Sequence, residues 1–92
     1  VHPGETVSSW TMKGILDFIV SNCEEAVFLR NNYIFKIIPM MNPDGVICGN
    51  FRTSVAGADL NRRWKNPDIK LYPEVYSAKE MITKIYSERK ID

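Results

Sequence analysis

A histidine and a glutamate near the start of the chain are the first residues that could do chemistry. His2 and Glu5 lie three positions apart, separated by Pro3 and Gly4. Zinc accepts both imidazole nitrogen and carboxylate oxygen as ligands, and this spacing can bring both side chains onto one ion. Pairs with this spacing are common, and taken alone the spacing favours a surface histidine beside a helix-capping glutamate. The irregular backbone that Pro3 and Gly4 impose favours the metal site.

Metal chemistry in this chain has few imidazole ligands to use, because His2 is the only histidine. A catalytic zinc commonly takes three protein ligands. Any metal site must therefore use carboxylates or ligands from outside these 92 residues. The same shortage leaves the serines and cysteines without a histidine-based triad, and no nucleophile-elbow, P-loop or dinucleotide motif is present.

A polar segment in the middle of the chain could hold a carboxylate. Its basic residues are Arg52, Arg62, Arg63 and Lys65, opposed only by Asp59. Guanidinium groups bind carboxylates through two parallel hydrogen bonds, and Asn61 adds an amide donor. A solvated loop and an RNA-contacting patch are the alternatives. The segment has only Phe51 and Trp64 as aromatics and no sustained basic stripe, which disfavours RNA.

Composition excludes several classes of partner. The net charge is +1, and 45% of the residues are hydrophobic, so neither nucleic acid nor an anionic membrane is required as a partner. No apolar run approaches the ~20 residues of a membrane span. Cys23 and Cys48 show no metal-binding or disulfide spacing, so we predict reduced, buried thiols in a cytoplasmic protein.

The pattern of apolar residues predicts an α/β protein. Helices are predicted over 9–20, over 24–30 and from Pro73 to about Arg89, and the apolar segment 33–40 is predicted as a strand buried on both faces. Residues 42–45 are predicted as a turn and 46–68 as irregular. One strand cannot form a sheet, and the first residue is Val1. We therefore expect residues 1–92 to be part of one longer domain.

Four motifs in order resemble a known family. They are VHPGET, FKIIPMMNPDGV, GNFR and DLNRRW, and together they are similar to the cytosolic carboxypeptidase branch of the zinc metallocarboxypeptidases. The resemblance covers the chain from Val1 to about Lys79. It implies a fragment of the mixed-sheet α/β/α sandwich of that family, lacking the opening strand and the C-terminal half.

The resemblance also implies a role for individual residues. His2 and Glu5 correspond to two of three ligands of one Zn²⁺ ion. Arg52 corresponds to the arginine that polarises the scissile carbonyl and stabilises the oxyanion, and Asn61 and Arg62 correspond to the pair that binds the terminal carboxylate of the substrate. The third ligand, a histidine, and the general base, a glutamate, have no counterpart in this chain.

The implied function is zinc-dependent removal of C-terminal residues, glutamates above all, from acidic protein tails such as that of tubulin. The basic segment is compatible with such a substrate. The alternative is a catalytically inactive module of the same fold that binds carboxylates. For the isolated 92 residues we expect no peptidase activity and weak zinc affinity, because two ligands cannot close a zinc site.

Overall fold

The computed structural model describes residues 1–88, which form helices joined by irregular segments. The helices are α1 (Thr6–Ile19), α2 (Glu24–Asn32), α3 (Pro43–Ile47) and α4 (Pro73–Glu88), with a single 3₁₀ turn at Leu60–Arg62. Two compact units are distinguished: Glu5–Pro39, and Val1–Gly4 together with the chain from Met40 onward. The predicted end of the last helix, Arg89, lies outside the described residues.

The unit Glu5–Pro39 is an α-helical hairpin. Its buried residues are Ile19 of α1 and Ala26 of α2, and the two helices pack against each other. The guanidinium of Arg30 donates hydrogen bonds to the carbonyl of Ile19 and, at 2.8 Å, to that of Ser21. Carbonyls at a helix C-terminus lack intrahelical partners. Arg30 therefore completes the end of α1 and fixes the turn between the helices.

The strand predicted over 33–40 is not present among the described residues. Tyr33 has extended backbone angles, with φ −130° and ψ 149°, but residues 33–40 pair with no strand within 1–88. A strand is defined by hydrogen bonds to a neighbour, and residues 1–88 supply no second strand to pair with. The apolar side chains of this segment are exposed, for example Ile34 at 67%. The α/β class is thus not confirmed by residues 1–88, which are helical.

The second unit has a small apolar core. Leu60 of the 3₁₀ turn and Val75 of α4 are fully buried, and Ala58 and Ala78 pack in the same unit. The apolar stripe predicted on α4 is buried at Val75 and Ala78 and exposed at Ile82. Both the 3₁₀ turn of the basic segment and the first turns of α4 thus contribute fully buried side chains to this unit.

The predicted turn at 42–45 is the start of α3. Asn42 is the N-cap, and its Oδ1 accepts from the backbone N–H of Gly45 at 3.0 Å. Pro43 occupies the first helical turn, where its missing N–H has no intrahelical role. The residue types that favour a turn here also favour the start of a helix. The helix continues to Ile47, beyond the predicted turn.

Two other expectations concern the surface. Cys23 and Cys48 are in no disulfide, but both are exposed, so the prediction that they are buried was wrong. Within residues 1–88, no helix combines the length and the apolar character needed to cross a bilayer.

The Arg30 contact leads to a stability prediction. In the full-length protein, Arg30→Met should lower the local opening free energy at the α1–α2 turn by about 1 kcal/mol, because the carbonyls of Ile19 and Ser21 lose a charged donor. Hydrogen exchange of peptides spanning residues 17–26 measures this change.

The matched control is Lys13→Met, which removes an exposed pair with Asp17 on α1. Such helix-surface pairs contribute only ~0.2–0.5 kcal/mol. Equal protection changes in the two variants would contradict the capping role of Arg30.

Candidate metal and carboxylate site

The carboxylate of Asp59 is where three predicted site residues meet. Its Oδ1 lies 2.9 Å from Nε2 of His2 and 2.9 Å from the backbone nitrogen of Asn61. Its Oδ2 lies 2.9 Å from Nε and 2.8 Å from Nη2 of Arg52. Residues from the HPGE, GNFR and DLNRRW motifs are thus joined by one side chain, within one unit of the structure.

The state of this carboxylate is set by its donors. The hydrogen bond from His2 is the largest cause that keeps the pKa of Asp59 below its ordinary 3.8; the N–H of Asn61 and the charge of Arg52 act in the same direction, against desolvation. Because the folded pKa is the lower one, the stabilisation is present above pH 3.8 and is lost as the pH falls through the lowered value. Asp59 is therefore ionised at neutral pH.

His2 is oriented by this contact. Its side chain is 10% exposed, and that of Asp59 is 19% exposed. An ionised carboxylate can only accept, so Nε2 of His2 carries the proton and donates. Metal-ligating histidines generally donate their second ring nitrogen to a carboxylate or carbonyl, which fixes ring orientation and tautomer. The position of His2 in the structure matches that arrangement.

Arg52 is held at one side of its guanidinium. Nε and Nη2 donate to the same oxygen of Asp59, which uses two of the five N–H donors of an arginine. The side chain is 47% exposed. Its outer edge therefore faces solvent with donors suited to a developing negative charge.

Asn61 and Arg62 lie in the 3₁₀ turn that Asp59 caps. Both side chains are exposed. Oδ1 of Asn61 accepts from the indole Nε1 of Trp64 at 3.0 Å. Within residues 1–88, the only hydrogen bond of the Arg62 side chain is a long one, 3.5 Å, from Nη1 to the carbonyl of Asn61. This guanidinium therefore remains accessible to an external carboxylate.

Glu5 belongs to the other unit. It is the N-cap residue of α1, it is exposed, and its carbonyl accepts from the N–H of Ser8 at 3.1 Å and from the Ser8 hydroxyl at 2.6 Å. No group of three metal-ligating side chains is found within residues 1–88. That His2 and Glu5 share one zinc ion stays a prediction.

A close backbone approach positions the segment that carries His2. The N–H of Gly4 donates to the carbonyl of Phe51 at 2.8 Å. A Cβ atom on Gly4 would lie 2.5 Å from Cδ2 and 2.8 Å from the carbonyl oxygen of Phe51. Only glycine fits there, because the neighbouring backbone cannot move aside. The contact places His2 beside the segment that carries Arg52.

Asn42 joins the same two segments from below the surface. It is 2% exposed, and its Nδ2 donates to the carbonyl of Val1 at 3.4 Å and to that of Thr53 at 3.3 Å. Val1 precedes His2, and Thr53 follows Arg52. The asparagine that begins α3 therefore also ties together the two segments that carry site residues.

Asp59 itself was missed by sequence reasoning. In the sequence it stands out only as the one acid among the basic residues of the segment. Two signals could have found it: an unpaired acid surrounded by cations, and an aspartate placed to cap the turn that follows. Neither signal identifies His2, 57 positions away, as a partner.

Comparison with known proteins decides the family. The sequence matches the zinc carboxypeptidase family over residues 1–90. The chain belongs to the zinc carboxypeptidase family. The sequence is 58% identical over 82 residues to cytosolic carboxypeptidase 1 of Danio rerio, and 52% identical over 91 residues to cytosolic carboxypeptidase 2 of Mus musculus.

The share of each relative that is covered is small. The match includes 89% of this chain and 7% of the zebrafish protein, and 99% of this chain and 11% of the mouse protein. Among solved structures, this carboxypeptidase-family chain resembles a metallo-carboxypeptidase from Burkholderia cenocepacia with a TM-score of 0.85 and 38% identity, over 91% of this chain and 23% of that chain. The helices and loops of residues 1–88 thus have the backbone arrangement of part of a carboxypeptidase domain.

The Gly4 contact gives a prediction with an internal control. Gly4→Ala should destabilise the full-length protein by about 1–3 kcal/mol, because a methyl group is forced against the backbone of Phe51. Thermal unfolding, together with hydrogen exchange of residues 1–4 and 50–54, measures the effect.

Gly14→Ala is the control. A Cβ on Gly14 meets nothing within 4 Å. Alanine in a helix interior is favoured over glycine by about 1 kcal/mol, so this variant should be unchanged or more stable. A stable Gly4→Ala protein with unchanged exchange would contradict the close approach.

Proposed function

We propose that the full-length protein is a zinc-dependent carboxypeptidase that removes C-terminal glutamates from acidic protein tails such as that of tubulin. The observation that carries the proposal is the Asp59 carboxylate, which brings the imidazole of His2, the guanidinium of Arg52 and the backbone of Asn61 together. A metal-binding imidazole, an oxyanion-stabilising cation and a carboxylate-binding amide are the parts that such a hydrolase needs. The family's α/β/α sandwich is the proposed fold of the complete domain.

The residues present fit zinc. Imidazole and carboxylate are both ordinary zinc ligands, and His2 already has the carboxylate partner on Nε2 that supports coordination through Nδ1. His2 and Glu5 would hold the ion, with further ligands from outside this chain. When bound, zinc would supply Lewis-acid assistance to peptide hydrolysis.

The protein's own residues would divide the remaining tasks. Arg52, held by Asp59 along one side, stabilises the negative charge that develops on the scissile carbonyl oxygen. Arg62 and Asn61 bind the terminal carboxylate of the substrate. Because this pair recognises the end of a chain, the bond that is cleaved is the last one.

Charge supports an acidic substrate. Arg62, Arg63 and Lys65 are exposed in one segment, and within residues 1–88 none of them pairs with an acidic side chain. Exposed cations attract acidic protein tails electrostatically and repel basic tails. The relatives are named cytosolic carboxypeptidases, and we propose the cytosol, in association with microtubules, as the place of action.

The carboxylate role of Arg62 is tested with two peptides. One ends in glutamates with a C-terminal carboxylate, and the other has the same sequence with a C-terminal amide. Arg62→Ala should lower kcat/KM for the carboxylate peptide about 10- to 100-fold, since hydrogen bonds to charged groups contribute about 1.5–3 kcal/mol. The discrimination between the two peptides should fall with it.

Lys70→Ala is the control, because it removes an exposed cation from the same loop region. It should leave the discrimination unchanged. Arg62→Ala with wild-type discrimination would refute the carboxylate role. Binding of the carboxylate peptide without any cleavage would favour the alternative, an inactive carboxylate-binding module.

The role of Asp59 is tested through zinc affinity. Asp59→Asn keeps the shape but loses the charge, so His2 and Arg52 are less firmly held. Loss of such an outer partner typically weakens metal binding about 10- to 100-fold. Chelator competition on the full-length protein measures this, with Asp68→Asn, at an exposed turn, as the control. Equal zinc affinity in Asp59→Asn and wild type would argue against His2 as a ligand.

A further inference from the structure

The indole of Trp64 determines which end of the Asn61 amide meets the solvent. Nε1 of Trp64 and Oδ1 of Asn61 are 3.0 Å apart. An indole N–H can only donate, so the amide must turn its oxygen toward Trp64. In the reverse orientation, the N–H of the indole would face the NH₂ group of the amide. The donor character of the indole N–H therefore fixes the orientation of the Asn61 amide.

This orientation leaves the NH₂ group of the Asn61 side chain available to a substrate. The backbone N–H of Asn61 is held by Asp59, and its Oδ1 is held by Trp64. Within residues 1–88 its Nδ2 donates no hydrogen bond, and the side chain is exposed. The two N–H donors of Nδ2 therefore belong to the exposed side of Asn61, the residue that precedes Arg62. A carboxylate has acceptors only, so it can bind to the NH₂ group of the amide but not to the amide oxygen.

Trp64 can act in this way because its own segment is anchored on both sides. The guanidinium of Arg63 lies over the ring of Tyr72, 5.4 Å from the centroid. The carbonyl of Lys65 accepts from Nζ of Lys79 on α4 at 2.6 Å. Trp64 is half-buried, and the contacts of its two sequence neighbours hold its backbone near the start of α4.

We propose that Trp64 is a positioning residue that sets the polarity of the Asn61 amide toward the terminal carboxylate of the substrate. The inference rests on the proposed function, because it assumes that Asn61 and Arg62 bind that carboxylate. Without the indole donor, the amide can rotate and present its oxygen to the substrate. Two acceptors then face each other, and carboxylate binding weakens.

The test compares three variants of the full-length protein. Trp64→Phe removes the donor, and replacement of Trp64 by benzothienylalanine removes the N–H while keeping the shape of the indole. Trp10→Phe is the matched control, at the chain's other tryptophan, which is 72% exposed on α1. Thermal unfolding reports whether each variant is folded, so a destabilised Trp64→Phe protein leaves the isosteric variant to decide.

The readouts are KM, kcat and the equilibrium binding of a fluorescent glutamate-ending peptide, with the C-terminal amide peptide in parallel. Both Trp64 variants should raise KM and the dissociation constant for the carboxylate peptide about 3- to 10-fold, as expected for one neutral hydrogen bond. We expect kcat to stay within about twofold, because the terminal carboxylate is bound equally in ground and transition states. Values for the amide peptide should not change.

A double-mutant cycle separates positioning from packing. In an Asn61→Ala background, Trp64→Phe should have no further effect on KM, because there is no amide left to orient. Full additivity of the two substitutions would overturn the inference, as would wild-type KM in the benzothienylalanine variant. Equal weakening of the amide peptide would also overturn it.

Failure of the proposed function gives a different result. If the wild-type protein binds carboxylate and amide peptides equally, the carboxylate clamp itself is refuted, and the inference falls with it. If the wild type discriminates and Arg62→Ala loses discrimination while the Trp64 variants keep it, only the role of Trp64 is overturned.

Discussion

One shared carboxylate organises the candidate site. Asp59 accepts hydrogen bonds from an imidazole, a guanidinium and a backbone N–H that arrive from three separate stretches of sequence. Because a carboxylate offers several acceptor positions, these donors reinforce one another and keep the pKa of Asp59 low. Removing the charge would weaken all three hydrogen bonds at once. The imidazole orientation, the guanidinium position and the 3₁₀ turn thus depend on one ionised group.

Short polar side chains, rather than a large apolar core, hold the surrounding loops. Asn42 is buried and bridges Val1 and Thr53, and Asn50 donates to the carbonyls of Thr53 at 3.1 Å and Ser54 at 3.4 Å. Such side chains can satisfy backbone groups that no helix or sheet satisfies. These hydrogen bonds hold the irregular backbone in one defined conformation, which a site built from loops requires.

The sequence predicted the local features better than the long-range ones. Apolar periodicity located α1 and α4, since burial of one helix face produces that pattern by itself. The strand over 33–40 could not be judged from its own residues, because a strand exists only with a neighbour. Asp59 was missed for a similar reason: its partner His2 is brought to it by the close approach of Gly4 to Phe51, which no local pattern encodes.

The most direct measurement is a crystal structure of the full-length protein with zinc and a peptide that ends in a glutamate carboxylate. The account predicts zinc on His2 through Nδ1, with Nε2 still donating to Asp59, and the carboxylate of the peptide bound by Arg62 and by Nδ2 of Asn61. A zinc ion placed elsewhere, or a terminal carboxylate that does not contact Arg62, would contradict it.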